Sequence, residues 1–198
     1  MGNAGFILIH VTLLCLVFIL FYIIKIRNRK PLHTAFLFLI ITLLIWTVGT
    51  IGLEYGYRFL QQTIKLTVDI AYVGLILTPL AALYLGLVFA YTTIRLNWKH
   101  LLLLIEPVVA IGLMFTNDLH HLFYKEVVYA TLTRSEALGS YFPIHTVYSY
   151  ICILVGMGYL IFFSVKNSGF FSKQSIFILG GIAVSFGFNL FLTFQIIN

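Results

Sequence analysis

The sequence predicts an all-α integral membrane protein: a bundle of six transmembrane helices, N-terminus outside, with a short extracellular cap between the fourth and fifth helices. Three observations predict it. Hydrophobic residues make up 61% of the 198 and charged residues only 9%, a composition outside the range of soluble domains. Six apolar stretches of near-spanning length fill the chain, at 4–24, 32–53, 64–93, 101–116, 144–165 and 176–197; a helix of about 20 residues crosses a bilayer core. The third observation is that charge alternates in sign bias from loop to loop.

The first apolar stretch has no basic segment before it and no small-residue cleavage site after it. It reads as a retained span rather than a removed signal peptide. The turn that follows, Lys25-Ile26-Arg27-Asn28-Arg29-Lys30, carries four basic residues and no acid. The turn after the third stretch holds Arg95 and Lys99, and the turn after the fifth holds Lys166 and Lys173. These alternate loops contain eight of the twelve basic residues and none of the six acids. Basic loops stay cytoplasmic, which places both termini outside. The net charge of +6 therefore reflects topology, and no soluble basic face is left to hold nucleic acid. The third stretch is long for one span, and its outer end is expected to project into the headgroups.

The connection from Asn117 to Pro143 is the one long loop, and loops beyond about 12–15 residues usually have a function or an ordered fold of their own. Lys125–Thr133 is β-branched and aromatic enough to suggest a strand or hairpin, and Gly139-Ser140 suggests a turn before the fifth span. An ordered cap is expected. The whole of 1–198 reads as a single transmembrane domain.

Nothing in the chain has the spacing of a catalytic centre. There is no phosphate-binding glycine loop, no paired-cysteine motif and no zinc-protease helix. Cys15 and Cys152 lie inside apolar stretches and read as buried structural thiols. Ionisable groups at membrane depth are therefore the functional candidates, because a charge there is expensive. Glu106, beside Pro107, is expected in the inner half of the fourth span next to a proline kink; it reads either as a switch or as a hydrogen-bonded packing residue. Asp69, near the outer end of the third span, reads either as a functional carboxylate or as one that reaches the headgroups. Glu54 ends the second span, where an interfacial carboxylate costs little.

The densest polar run is Thr116–Tyr124. Asn117, His120 and His121 share a face if the helix continues, whereas Asn117 and Asp118 suit a cap or turn if it does not. A zinc reading would recruit His120 or His121 and Asp118, with His145 as an optional third, but nothing fixes that third ligand. No metal or cofactor is expected. In the fifth span His145, Tyr148, Ser149, Cys152, Gly156 and Tyr159 recur at helical spacing. In the sixth, Gly181, Ser185, Asn189 and Thr193 are each four apart. Stripes of this kind pack membrane helices closely. His145 and Tyr148 lie where they could meet the histidine-rich run. Trp46 and Trp98 read as interfacial aromatics.

Glu54, Pro79 in the third span, Pro107 in the fourth, and Thr116-Asn117-x-x-His120 followed by Tyr124 form an ordered pattern. It continues through Gly139, Phe142, His145 and Tyr148-Ser149-Tyr150. The pattern resembles the N-terminal seven-transmembrane sensor region of bacterial histidine kinases. The resemblance implies a non-catalytic input domain in a bacterial plasma membrane, with its N-terminus outside. It also implies a seventh span that leads to a cytoplasmic kinase module. A small ligand or peptide is the implied stimulus, and a homodimer is compatible with it. Candidate ligand-binding residues are Glu54, Asp69, Asn117, His120, His145 and Tyr148; candidate switch or packing residues are Pro79, Glu106 and Pro107. Since the sixth span ends outside, the native reading frame is expected to continue past Asn198. Two other classes compete. A small transporter or channel would use Glu106 and Asp69 along a pathway, though no inverted repeat supports it. A haem protein would need axial ligands from His10, His33 and His145, whose depths scatter.

Overall fold

The computed structural model describes residues 2–28, 30–91, 101–125, 138–166 and 170–197. Every element in them is helical: α1 (Asn3–Ile24), α2 (Pro31–Leu60), α3 (Lys65–Ala90), a 3₁₀ turn (Leu102–Leu104), α4 (Ile105–Phe115), the single turn α5 (Asn117–His120), α6 (Phe142–Lys166) and α7 (Phe170–Ile197). Among the described residues four helices, α1, α2, α3 and α6, are long and apolar enough to cross a membrane, and Leu102–Phe115 and Ser175–Gly187 are shorter apolar helical stretches. Helix is the expected form here, since a lipid environment leaves backbone N–H and C=O groups no partners but each other.

Helix α3 is the axis of the molecule. Its small and branched residues Val68, Ala71, Ile76, Ala81, Ala82 and Leu85 are buried, and it packs chiefly on α2 and α6. Close approach needs glycine at particular points. A Cβ at Gly74 would strike the Trp46 backbone, and one at Gly86 would strike the backbone of Gly156. Without a hydrophobic driving force between helices in lipid, such contacts are what hold a bundle together. Trp46 thus sits against α3 in the middle of α2 and does not mark an interface. α2 runs antiparallel to α3, since Gly49 meets Ala71 while Gly74 meets Trp46. α6 runs parallel to α3, since Tyr72 stacks on Phe142 and Phe89 on Phe163. The outward surface is apolar, with Phe18, Phe21, Val165, Phe177 and Val184 exposed, as suits a lipid-facing shell.

The helices share two ends. At one, Arg58 of α2 bonds Asn3 of α1, and Lys65 of α3 bonds Asp118 beyond α4. At the other lie Lys25, Lys30, Lys166 and Lys173, with Ser164 and Ser175 joined 2.6 Å apart across the α6–α7 connection. Pro31 opens α2 at its first turn, where its missing N–H costs nothing, and the His33 imidazole accepts the Lys30 amide at 3.0 Å.

Several expectations need correction. α2 continues to Leu60, so Glu54 lies within the helix and is buried rather than ending it at an interface. Cys15 is exposed on α1 and only Cys152 is buried. Gly181 and Ser185 of the small-residue stripe on α7 face outward, Ser185 bonding only its own helix. The expected hairpin in Lys125–Thr133 lies almost wholly outside the described residues; an antiparallel bridge between Tyr124 and Leu138 stands at its base. The turn at Gly139-Ser140 is present, tightened by Gly139 N–H donating to Phe123 C=O at 2.9 Å.

Candidate functional site

The polar residues gather at the cap end, where Asn117 organises the chain. Its Oδ1 accepts the amides of Phe123 and Tyr124, each at 2.9 Å, and its Nδ2 donates to the Tyr124 carbonyl at 3.0 Å. These bonds reverse the chain after α5, with His121 in the left-handed region at φ 53°. The turn reading of Asn117 therefore holds, and the continuing-helix reading does not. His120 closes the same loop. Its Nδ1 accepts the Leu122 amide at 3.0 Å, so Nε2 carries the proton and donates to Thr116 Oγ1 at 3.0 Å. Thr116 in turn donates to the Gly112 carbonyl. Both nitrogens are occupied in holding the cap.

Beneath this loop Phe123 and Tyr124 are fully buried with Tyr72, Phe142 and Met114 around them. The rings pack edge to face: Tyr72–Phe123 at 5.8 Å, Tyr72–Tyr124 at 5.1 Å, Phe123–Phe142 at 5.7 Å between centroids. Offset and perpendicular pairs of this kind suit the ring quadrupole.

On one side of the aromatic cluster runs a line of hydrogen bonds. His145 Nδ1 donates to Glu106 Oε1 at 2.9 Å, Tyr141 Oη reaches the same oxygen at 3.4 Å, and His145 Nε2 lies 3.3 Å from Ser149 Oγ. His145 is 1% exposed and Glu106 14%. Burial and the neighbouring Glu106 push the Tyr141 phenol up. Glu106 is thus level with the first turn of α6, at the cap end and not in the inner half of its span. Pro107 lies in the first turn of α4, where proline starts a helix, instead of kinking one. Proline has no N–H for the carbonyl four residues before it, which is that of Leu103. Tyr148 Oη supplies the donor to that carbonyl, at 2.6 Å. Tyr148 is therefore engaged by backbone, as a consequence of Pro107.

The order Ser149–His145–Glu106 has the connectivity of an acyl-transfer triad. Catalysis of that kind needs free donors for the developing oxyanion. Ser149 sits within α6, where the surrounding amides are spent in helix bonds, so the arrangement supports relay or packing and not nucleophilic attack.

Asp69, on α3 one helical turn before Tyr72, is 7% exposed. It is buried and does not reach outward. Lys65, one turn earlier, bonds Asp118 instead, which holds the Asp118 carboxyl below its ordinary range. Glu54 forms a third group: 1% exposed, it receives Arg58 Nε at 2.6 Å, and Arg58 also lies 4.6 Å over the Phe6 ring. This group ties α1 to α2. Pro79 is buried inside α3.

The predicted residues therefore share one end of the bundle but not one pocket. Glu106, His145 and Tyr148 are brought together; His120 makes no contact with His145 among the described hydrogen bonds. Ser149, Tyr141, Tyr72 and Tyr124 complete the arrangement and were absent from the candidate list, although Tyr141, His145 and Ser149 recur every four residues. No group of three metal-ligating side chains is found among the described residues. His10, bonded to Phe6 and Tyr55, and His33, at the opposite end of α2, do not converge on His145.

An apolar helical bundle with an ordered polar end is a membrane protein built around a buried hydrogen-bonded cluster. The chain matches the family described as the N-terminal 7TM region of histidine kinase over residues 7–198, and it belongs to that family. Comparison with curated proteins and with solved structures finds no match.

Proposed function

We propose that this domain is the input region of a bacterial two-component histidine kinase, six spans with the cap outside, which perceives a stimulus at the cap end and passes it to a cytoplasmic kinase module. The Glu106–His145 bond carries the reading. It joins the fourth apolar segment to α6 at the cap end, and α6 runs alongside the buried α3 to the basic end, where Lys166 closes it. A stimulus that reorders the Glu106 partners changes how α6 sits on α4, and a rigid helix delivers that change across the bilayer. Basic residues at the opposite end support a cytoplasmic position for it. Membership of the kinase family supports the output.

The test is basal and stimulated autophosphorylation of the full kinase in nanodiscs, comparing wild type with His145→Ala and Glu106→Gln. Both substitutions are expected to shift the basal rate, with a folded bundle retained. Unchanged autophosphorylation in both variants would sink the reading. A transport pathway finds less support, because Asp69 and Glu106 both lie at the cap end and no acidic relay descends from them among the described residues.

A further inference from the structure

We propose that the groove between the basic ends of α3 and α6 is a binding site for one anionic phospholipid. The groove has a volume of about 370 Å³ and is lined by Tyr91, Val155, Gly158, Tyr159 and Phe162. Val155, Tyr159, Phe162 and Lys166 follow one another at four, three and four residues, so they share one face of α6. Cys152, Gly156 and Leu160 face the core instead. Tyr91, just past the end of α3, forms the other wall, with its ring edge to face on Tyr159 at 5.8 Å. Gly158 leaves a notch between the walls, since a Cβ there would meet nothing within 4 Å. Tyr91, Val155 and Phe162 are exposed, so the groove opens onto the apolar outer surface.

Length, charge and aromatic placement select the occupant. From Val155 to Lys166 the helix rises about 16 Å, close to half of a hydrocarbon core about 30 Å thick. An acyl chain of one leaflet therefore runs the length of the groove with its headgroup at Lys166. Lys166 is exposed, and its Nζ lies 5.4 Å over the Phe162 ring. This contact turns the ammonium back toward the groove mouth. Among the described residues the acids are Glu54, Asp69, Glu106 and Asp118, all at the cap end. The charge that Lys166 and Lys173 attract at the basic end must come from outside the chain, and a phosphodiester headgroup supplies it. Tyr91 and Tyr159 stand at the same level, where tyrosine rings suit the boundary between acyl chains and headgroups.

This site lies at the opposite end from the Glu106–His145 line, and its test reads lipid binding, not signalling. The full chain in detergent is titrated with dioleoyl phosphatidylglycerol or dioleoyl phosphatidylcholine, and bound lipids are counted by native mass spectrometry. Wild type is expected to hold its first phosphatidylglycerol about fivefold more tightly than its first phosphatidylcholine, the worth of about one lysine near an anionic headgroup. Lys166→Gln, an exposed change at a helix end, is expected to erase that preference. Lys25→Gln, at the same end but beyond α1, leaves it unchanged. Gly158→Leu fills the notch from an open position and is expected to weaken the first phosphatidylglycerol by about fivefold as well. Equal affinity of wild type for the two lipids would overturn the proposal. So would equal losses in Lys25→Gln and Lys166→Gln, which would leave only diffuse attraction, or a Gly158→Leu protein that binds like wild type. Dimers of wild type that Gly158→Leu separates would also overturn it, by assigning the groove to a second copy of the chain.

Discussion

Tyr148 shows how one side chain answers a defect created by another. Pro107 cannot donate to the Leu103 carbonyl, and Tyr148 Oη fills that place at 2.6 Å. Tyr148→Phe is expected to cost about 1 kcal/mol, the net worth of one hydrogen bond to a partly buried carbonyl. Pro107→Ala restores a backbone N–H at the right register, so the double variant should lose less than Tyr148→Phe alone. Thermal unfolding of the four proteins in nanodiscs completes the cycle; strict additivity would refute the coupling. The candidate list held both residues, but for other reasons. A proline and a tyrosine forty-one positions apart give no sign in the sequence that one compensates the other.

Between α3 and α6, close contact is made where Gly86 of α3 meets Gly156 of α6. Gly86→Ala should destabilise by about 1–3 kcal/mol through overpacking. Gly158→Ala, two residues along, meets nothing within 4 Å and should be neutral or gain up to about 1 kcal/mol. If both variants melt alike, close packing at Gly86 is not what joins α3 to α6. The cap offers a second test, through the Lys65–Asp118 ion pair that links α3 to α5. Asp118 titrates below its ordinary 3.8, chiefly because Lys65 donates to it. A depressed carboxylate contributes stability above its unfolded pKa and loses it as pH falls through the folded one. The Tm gap between wild type and Asp118→Asn should therefore be present near neutral pH and close as pH drops through and below 3.8. A gap that stays constant into that acid range would rule the ion pair out as its source. Small-residue stripes were readable on both α6 and α7, yet His145, Ser149, Cys152 and Gly156 of α6 are buried while Gly181 and Ser185, the described members on α7, are exposed. Helical spacing identifies a face but not the neighbour it meets.

Across the whole molecule, the charges divide between two ends. Cysteines introduced at Lys30 and at Leu119 are expected to react with membrane-impermeant thiol reagents from opposite sides, Leu119 being exposed at the cap end. Cys152 is buried and Cys15 faces the apolar surface, so neither should interfere. Labelling of both sites from the same side would overturn the two-ended arrangement and the sidedness drawn from it.

Apolar length and loop charge are local properties that add along the chain, which is why the helices and their order could be read directly from residues 4–197. Family membership was legible for the same reason: Glu54, Pro79, Pro107, Asn117 and His120 keep their order whatever they touch. Partnership is not local. Glu106 was placed at the wrong depth because its level is set by His145, thirty-nine residues on, and by a 3₁₀ start that brings Leu103 level with Tyr148. Asp69 could be read as a functional carboxylate or as one that reaches the headgroups, until the cap, pinned by Asn117, laid Phe123 and Tyr124 into the core beside Tyr72. A buried charge is defined by what surrounds it, and only the packing of α3, α4, α6 and the cap decides that.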